Sequence, residues 1–205
     1  MNKKWKRYKT EPYVSGALVV INIIIFLWCT FDGGMLYNVG GLSPHMFFSE
    51  RQYYRLLSSL FLHGDIGHLV NNMLLLFGLG AMMEKETGHL AFGAAYFISG
   101  VGGNIVSLLF KIRTGDWYIE SIGASGAVFG LIGLLLMLGI FSGARMANVT
   151  PVRVLFVIGY SIYSNLDNSR IDNAAHVGGV VTGVMAGALI CLILQYKKRT
   201  GGKGI

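Results

Sequence analysis

Charged residues are clustered along this chain, and between the clusters lie five windows that contain none: residues 12–31, 66–83, 87–110, 121–144 and 173–196. A helix crosses about 30 Å of hydrocarbon with about 20 apolar residues, and four of the five windows are 20 or 24 residues long. The pattern predicts transmembrane helices over about 12–31, 65–84, 88–110, 123–143 and 173–196. A sixth, weaker span is expected over 150–166, where Thr150 can cap, Pro151 fits the first turn and Arg153 snorkels to the interface. The stretch from Gly33 to Ser49 is also uncharged but holds four glycines, Pro44 and His45. It reads as part of a long external loop, 32–54, with short interfacial pieces. The expected fold is all-α: a polytopic membrane protein built as a six-transmembrane-helix bundle, with residues 1–205 as a single domain.

Composition removes the soluble alternative. Hydrophobic residues are 53% of the 205 and charged residues 13%, the latter about half the usual fraction of roughly 25%. Mean hydropathy is +0.56. The basic start, Lys3 to Lys9, resembles the opening of a signal peptide. The apolar run behind it is too long, however, and no A-x-A-like cleavage site follows, so the first window is expected to stay as a span. Positive residues accumulate in cytoplasmic loops. With six spans, 12 of the 17 Lys and Arg fall on the side of the termini and 5 on the other. Both termini are therefore expected in the cytoplasm, with the chain in the cell membrane. The net charge of +7 follows from this orientation and from attraction to anionic lipid heads, and it calls for no nucleic-acid partner. Cys29 and Cys191, late in the first and last spans, would lie near opposite faces and imply no disulfide.

Polar groups inside a membrane are costly and are functional candidates by default. They gather at the start of spans two, four and six, which run in the same direction and so open at similar depth. Span two begins HGDIGHLVNN, with His63, His68 and Asn72; span four begins GASGAVFG, with Ser125; span six begins NAAHVGG, with His176. His68 and Asn72 are four apart and share a helix face. Gly123 and Gly126 flank Ser125, opening room for other backbone and freeing amides at a helix start, where they and the helix dipole favour developing negative charge. His176 precedes a small-residue stripe of Gly179, Gly183 and Gly187, and Gly126 and Gly130 form a second stripe on span four. Two such stripes permit close helix contact and would bring His176 toward Ser125. A serine with a histidine in reach is the minimum for nucleophilic catalysis, because the imidazole takes the hydroxyl proton as attack proceeds. His68, Asn72 and the Ser125 amide would then bind an oxyanion. No carboxylate is obviously placed to orient His176, so a dyad is expected.

Each of these residues has a plainer reading. A lone serine in a membrane helix usually packs and bonds back to its own backbone, glycine stripes mostly pack, and His63 suits a brace at the start of span two. His45 and His89 fall near loop or span ends, where solvated or interfacial roles suffice. The catalytic reading rests on the conjunction of Ser125, His176, His68 and Asn72 at one depth.

With these motifs assembled, the sequence resembles the rhomboid family of intramembrane serine proteases. The matching segments are GASGAVFG around Ser125, AHVGGVVTG around His176, HGDIGHLVNN in span two and YYRLLSSLFLH ahead of it. The G-x-S-G and A-H-x-x-G motifs stand in family order, about fifty residues apart. The resemblance implies a six-span rhomboid-like bundle, Ser125 as nucleophile, His176 as general base, His68 and Asn72 as oxyanion ligands and Gly123 as the motif glycine. It further implies structural support from Arg55 in the loop after span one and an aromatic ring, Phe129, against the base. Glu84 and Gly88 match an E-x-x-x-G segment closing span two, whereas Tyr54 stands where the family often has Trp. The family cuts transmembrane segments of other membrane proteins near their outer end, without metal or cofactor. Substrate is then expected to enter beside the fifth span and the loop from Asp167 to Asp172, with Asn72, Asn165, Asn168 and Asn173 holding a water-filled cavity open.

Three rivals weigh less. A transporter or channel would call for charges deep in the bundle or an inverted repeat, and the sequence offers neither. A metal site at His63, Asp65 and His68 lacks any common zinc spacing. A segment-binding pseudoprotease typically lacks Ser or His, and both are present. The glycine stripes serve internal and dimer contacts alike, so the sequence assigns no oligomeric state.

Overall fold

A computed structural model describes residues 11–142, 152–156, 159 and 171–200. The chain forms α1 (Tyr13–Phe31), a short α2 (Met35–Gly40), a π-helical turn (His45–Ser49), a single turn α3 (Arg55–Ser58), and then α4 (Ile66–Thr87), α5 (His89–Thr114), α6 (Ser125–Ser142) and α7 (Asn173–Thr200). Among the described residues there is no strand; Leu42 and Ser121 form one isolated antiparallel bridge. Among the described residues, four helices are long and apolar enough to cross a membrane: α1, α4, α5 and α7 over Asn173–Tyr196. α6 is apolar but shorter. The expected fifth span and most of the loop behind it lie outside the described residues, apart from a helical stretch at 152–156.

Helix ends follow local chemistry. Asp65 caps α4, its Oδ1 accepting the His68 amide at 2.8 Å. The cap satisfies one of the amides that a helix start leaves unpaired. Gly88, with φ +87°, breaks the chain between α4 and α5. Its left-handed backbone is open to glycine and strained for other residues. Three helices run past their predicted ends: α4 continues to Thr87, α5 to Thr114 and α7 to Thr200. The charged residues that close an apolar window are thus inside the helix. Glu84 and Lys111 are both buried; Glu84 is the last residue of the expected second span, whereas Lys111 falls just past the expected third.

Glu84 explains its own burial. Its carboxylate accepts the amides of Val14 at 2.9 Å and Ser15 at 2.8 Å, the Ser15 hydroxyl at 2.8 Å and a short contact from His89 Nδ1. A negative group thereby sits on the unpaired amides at the start of α1, and one side chain joins α1, α4 and α5.

α6 is enclosed by the rest of the bundle. Leu131 and Leu134 on one side and Phe129, Ile132 and Leu136 on the other are each at most 9% exposed. A helix apolar all round belongs in such a core. Against it lies α7, and the seam is made of glycine. A Cβ on Gly179 would stand 2.0 Å from the Gly126 carbonyl oxygen, and one on Gly183 would stand 2.1 Å from that of Gly130. Only residues without a side chain allow this approach, the small-residue packing open to membrane helices. Gly126, Gly130, Gly179 and Gly183 therefore let α7 lie directly against α6. Outward faces of the long helices carry exposed Ile24, Leu27, Leu74, Phe77, Val181, Met185 and Leu189, an apolar girdle suited to lipid.

Candidate active site

Ser125 opens α6 and His176 is the fourth residue of α7. Their immediate neighbours meet: a Cβ on Gly126 would be 3.4 Å from the Ala175 carbonyl oxygen. Ser125 is half-buried, whereas His176 is buried. The imidazole of His176 stacks on Phe129, and its Nδ1 has no hydrogen-bond partner among the described residues. Ring orientation is thus held by packing rather than by a carboxylate.

On the other side of Ser125, α4 brings up its polar start. The His68 imidazole occupies the space beside Gly123, where a Cβ would lie 2.6 Å from His68 Cε1. Gly123 has φ +122°; both its conformation and the ring against it require glycine. Its amide is already engaged, donating to the Ser59 carbonyl at 2.9 Å. Asn72 is buried one turn after His68, and its Nδ2 has no hydrogen-bond partner among the described residues. Buried polar atoms are seldom left unpaired in folded proteins, and near these helix starts His63 Nδ1 and His176 Nδ1 share this condition with Asn72 Nδ2.

His63 is fully buried, its ring 5.0 Å from that of His68. Its Nε2 accepts the Ala124 amide at 3.5 Å, which braces the turn just ahead of Ser125. Burial, assisted by the neighbouring His68, pushes the His63 pKa down to about 4. His63 is therefore neutral at physiological pH and able to act as that acceptor.

Arg55 is buried in the loop ahead of α4. It donates to the carbonyls of Gly41 and Asn38 and to Gln52, and it lies 3.8 Å from Glu120. Tyr54 donates its hydroxyl to the Val39 carbonyl at 2.9 Å. Together these contacts hold the 38–55 loop onto the turn that precedes α6.

A second polar cluster, absent from the expected site, lies ahead of α7. Asp172 Oδ1 accepts the Ala175 amide at 3.0 Å, and Oδ2 accepts the hydroxyls of Ser107 and of Ser121, the latter at 2.6 Å. Lys111 Nζ lies 3.5 Å from Oδ2 and donates to Ser121 Oγ at 2.6 Å. Burial alone would lift the Asp172 pKa, but Lys111 and the three hydrogen-bond donors outweigh it and hold the carboxyl below its ordinary value. Asn165 and Asn168, expected at a water cavity, lie outside the described residues, as does the loop before residue 171.

Taken together, a bundle of apolar helices with polar side chains converging on two adjoining helix starts defines a polytopic membrane protein with an internal polar site. A family model described as Rhomboid domain matches residues 50–193, and the chain belongs to the rhomboid family. It is 37% identical over 167 residues to RHOMBOID-like protein 4 of Arabidopsis thaliana, an alignment covering 78% of this chain and 40% of that protein. RHOMBOID-like protein 2 of the same plant is also 37% identical, over 78% of this chain and 50% of the relative. The Rhomboid protease GluP of Bacillus subtilis is 27% identical over 89% of this chain and 36% of its own length. The chain thus spans half or less of the length of these relatives.

Proposed function

We propose that this chain is an intramembrane serine endopeptidase that cleaves transmembrane segments of other membrane proteins near their outer end. Ser125 is the nucleophile in this reading. His176 takes the Ser125 hydroxyl proton while Oγ attacks the scissile carbonyl carbon, and the carbonyl oxygen gains the negative charge. His68, Asn72 and the Ser125 amide bind that oxyanion, while Gly123 supplies the room beside it. His176 then gives its proton to the leaving amine, and a water repeats the sequence on the acyl-enzyme. No cofactor or metal takes part. Arg55, His63, Phe129, Gly179 and Gly183 support the site, the bilayer is the working solvent, and both termini are cytoplasmic.

The observation that carries this reading is the buried Asn72 amide, without a hydrogen-bond partner among the described residues and one turn after the His68 ring that packs on Gly123; His176, stacked on Phe129, begins the helix seamed to α6. Kinship with a named rhomboid protease supports the same reaction class. The test is cleavage of a fluorescent single-span substrate by the full chain in proteoliposomes. Wild type is expected to cut it and to be labelled by a fluorophosphonate at Ser125, and Ser125→Ala and His176→Ala are expected to do neither. Wild-type cleavage by Ser125→Ala would overturn the assignment.

A further inference from the structure

The ion pair of buried Lys111 and half-buried Asp172 stands apart from the residues assigned to the reaction, yet it touches both helices that carry them. Asp172 is the residue before α7; its side chain caps the Ala175 amide and its carbonyl accepts the His176 amide at 3.2 Å. Ser121 lies in the turn before α6, where its backbone pairs with Leu42 in both directions, at 2.7 and 3.1 Å. Lys111 and Ser107 are one turn apart on α5, and their polar atoms meet Ser121 and Asp172. The cluster therefore joins α5 to two points: one four residues ahead of Ser125, the other four residues ahead of His176.

Lys111 and Asp172 are an expensive choice for mere cohesion. Removing two charges from water costs several kcal/mol per ion, and an apolar pair of like volume often does as well for stability. What an ion pair with fixed hydroxyl partners adds is geometry: the Asp172 oxygens have three defined donors besides the ammonium, and each comes from a different place in the fold. The glycine seam lets α7 approach α6 but, being a smooth stripe, does less to fix its position along the axis. A bonded cap does fix it.

We infer that Asp172 is a positioning residue for the reaction: with Lys111 and Ser121 it clasps the starts of α6 and α7 at one height, so that His176 meets Ser125. This role rests on the serine-protease reading above.

The experiment compares wild type with Asp172→Asn, Lys111→Met and the double variant Asp172→Asn/Lys111→Met, all as full chains in the same proteoliposomes. Steady-state cleavage of the single-span substrate is read beside hydrogen–deuterium exchange of the first turn of α7. Each single variant leaves one buried charge or dipole unanswered. Its kcat is expected to fall at least tenfold with KM unchanged, and exchange in that turn is expected to rise. The neutral double variant is expected to recover most of both losses, which a role confined to overall folding would not produce. Single variants within twofold of wild-type kcat, or a double variant no better than either single, would overturn the clasp. Failure of the parent reading is separable: wild type would then neither cut nor label at Ser125, and the positioning role would fall with it whatever the exchange shows.

Discussion

The imidazole of His176 lies flat on the ring of Phe129, with 4.1 Å between centroids and 7° between planes. Since Nδ1 has no partner among the described residues, the stack is what keeps the ring from turning about its side-chain bonds. Phe129→Leu keeps an apolar side chain and loses the flat face. Aromatic pairing of this kind contributes about 0.5–1.5 kcal/mol beyond burial, equivalent to a fall in kcat of up to about tenfold. Phe129→Tyr should retain wild-type kcat. Kinetics of both variants on the single-span substrate check the point, and an unimpaired Phe129→Leu would remove Phe129 from the orienting machinery.

Asn72 offers a case in which stability and activity should move apart. An unpaired buried donor costs about 1–3 kcal/mol, and Asn72→Ala removes it. The variant is expected to unfold at the same or a higher denaturant concentration than wild type. Its kcat should nevertheless fall, by less than the roughly 10²–10³ that loss of one oxyanion donor costs soluble serine proteases, because His68 and the Ser125 amide remain. Unfolding titrations and cleavage rates on one preparation decide it. A variant that is less stable and equally active contradicts this account.

The glycine seam gives a sharper contrast. Gly183→Ala would set a methyl group 2.1 Å from the Gly130 carbonyl oxygen, a backbone atom that cannot swing aside. Overpacking commonly costs 1–3 kcal/mol, and this site should lie at or above about 3 kcal/mol. Gly78→Ala, also in a helix, meets nothing within 4 Å and should be neutral or stabilising by up to about 1 kcal/mol through helix propensity. Denaturant midpoints of the two variants against wild type test the pair.

His63 predicts a pH dependence of stability. With its pKa pushed down to about 4 in the folded chain against an unfolded value near 6.5, the folded state binds fewer protons than the unfolded state between those values. Stability therefore rises with pH through that window and is lost as pH falls from about 6.5 toward 4. At about 1.4 kcal/mol per pKa unit the full effect is roughly 3 kcal/mol. His63→Gln, which keeps an acceptor for the Ala124 amide but does not titrate, should flatten the slope. Equal slopes for the two proteins would show that His63 is not its source.

Much of this arrangement was legible in the sequence, because cost makes it visible. Ser125, His176, His68 and Asn72 stand out as polar residues in windows that otherwise exclude them, and their helices begin where the windows predict to within a few residues. Gly126, Gly130, Gly179 and Gly183 announce a seam by spacing alone. Lys111 and Asp172 were hidden for the opposite reason. Each ends or precedes an apolar window, where a charge is read as marking the water boundary, and their pairing depends on a register between α5 and α7 that no local pattern carries. Glu84 was recognisable as a motif residue, but its hold on the α1 amides required knowing which helix end lies beside it. The fifth span, the weakest in hydropathy, lies mostly outside the described residues.

The enclosure of α6 has one more consequence. A helix exposed to lipid is under pressure to match the hydrocarbon thickness, whereas α6, screened by its neighbours, is released from that constraint. Its described residues number 18, against 26 in α5 and 28 in α7. Ser125 stands in the first turn of α6, half-buried, so the helix that carries this hydroxyl is fitted to its protein neighbours rather than to the thickness of the lipid.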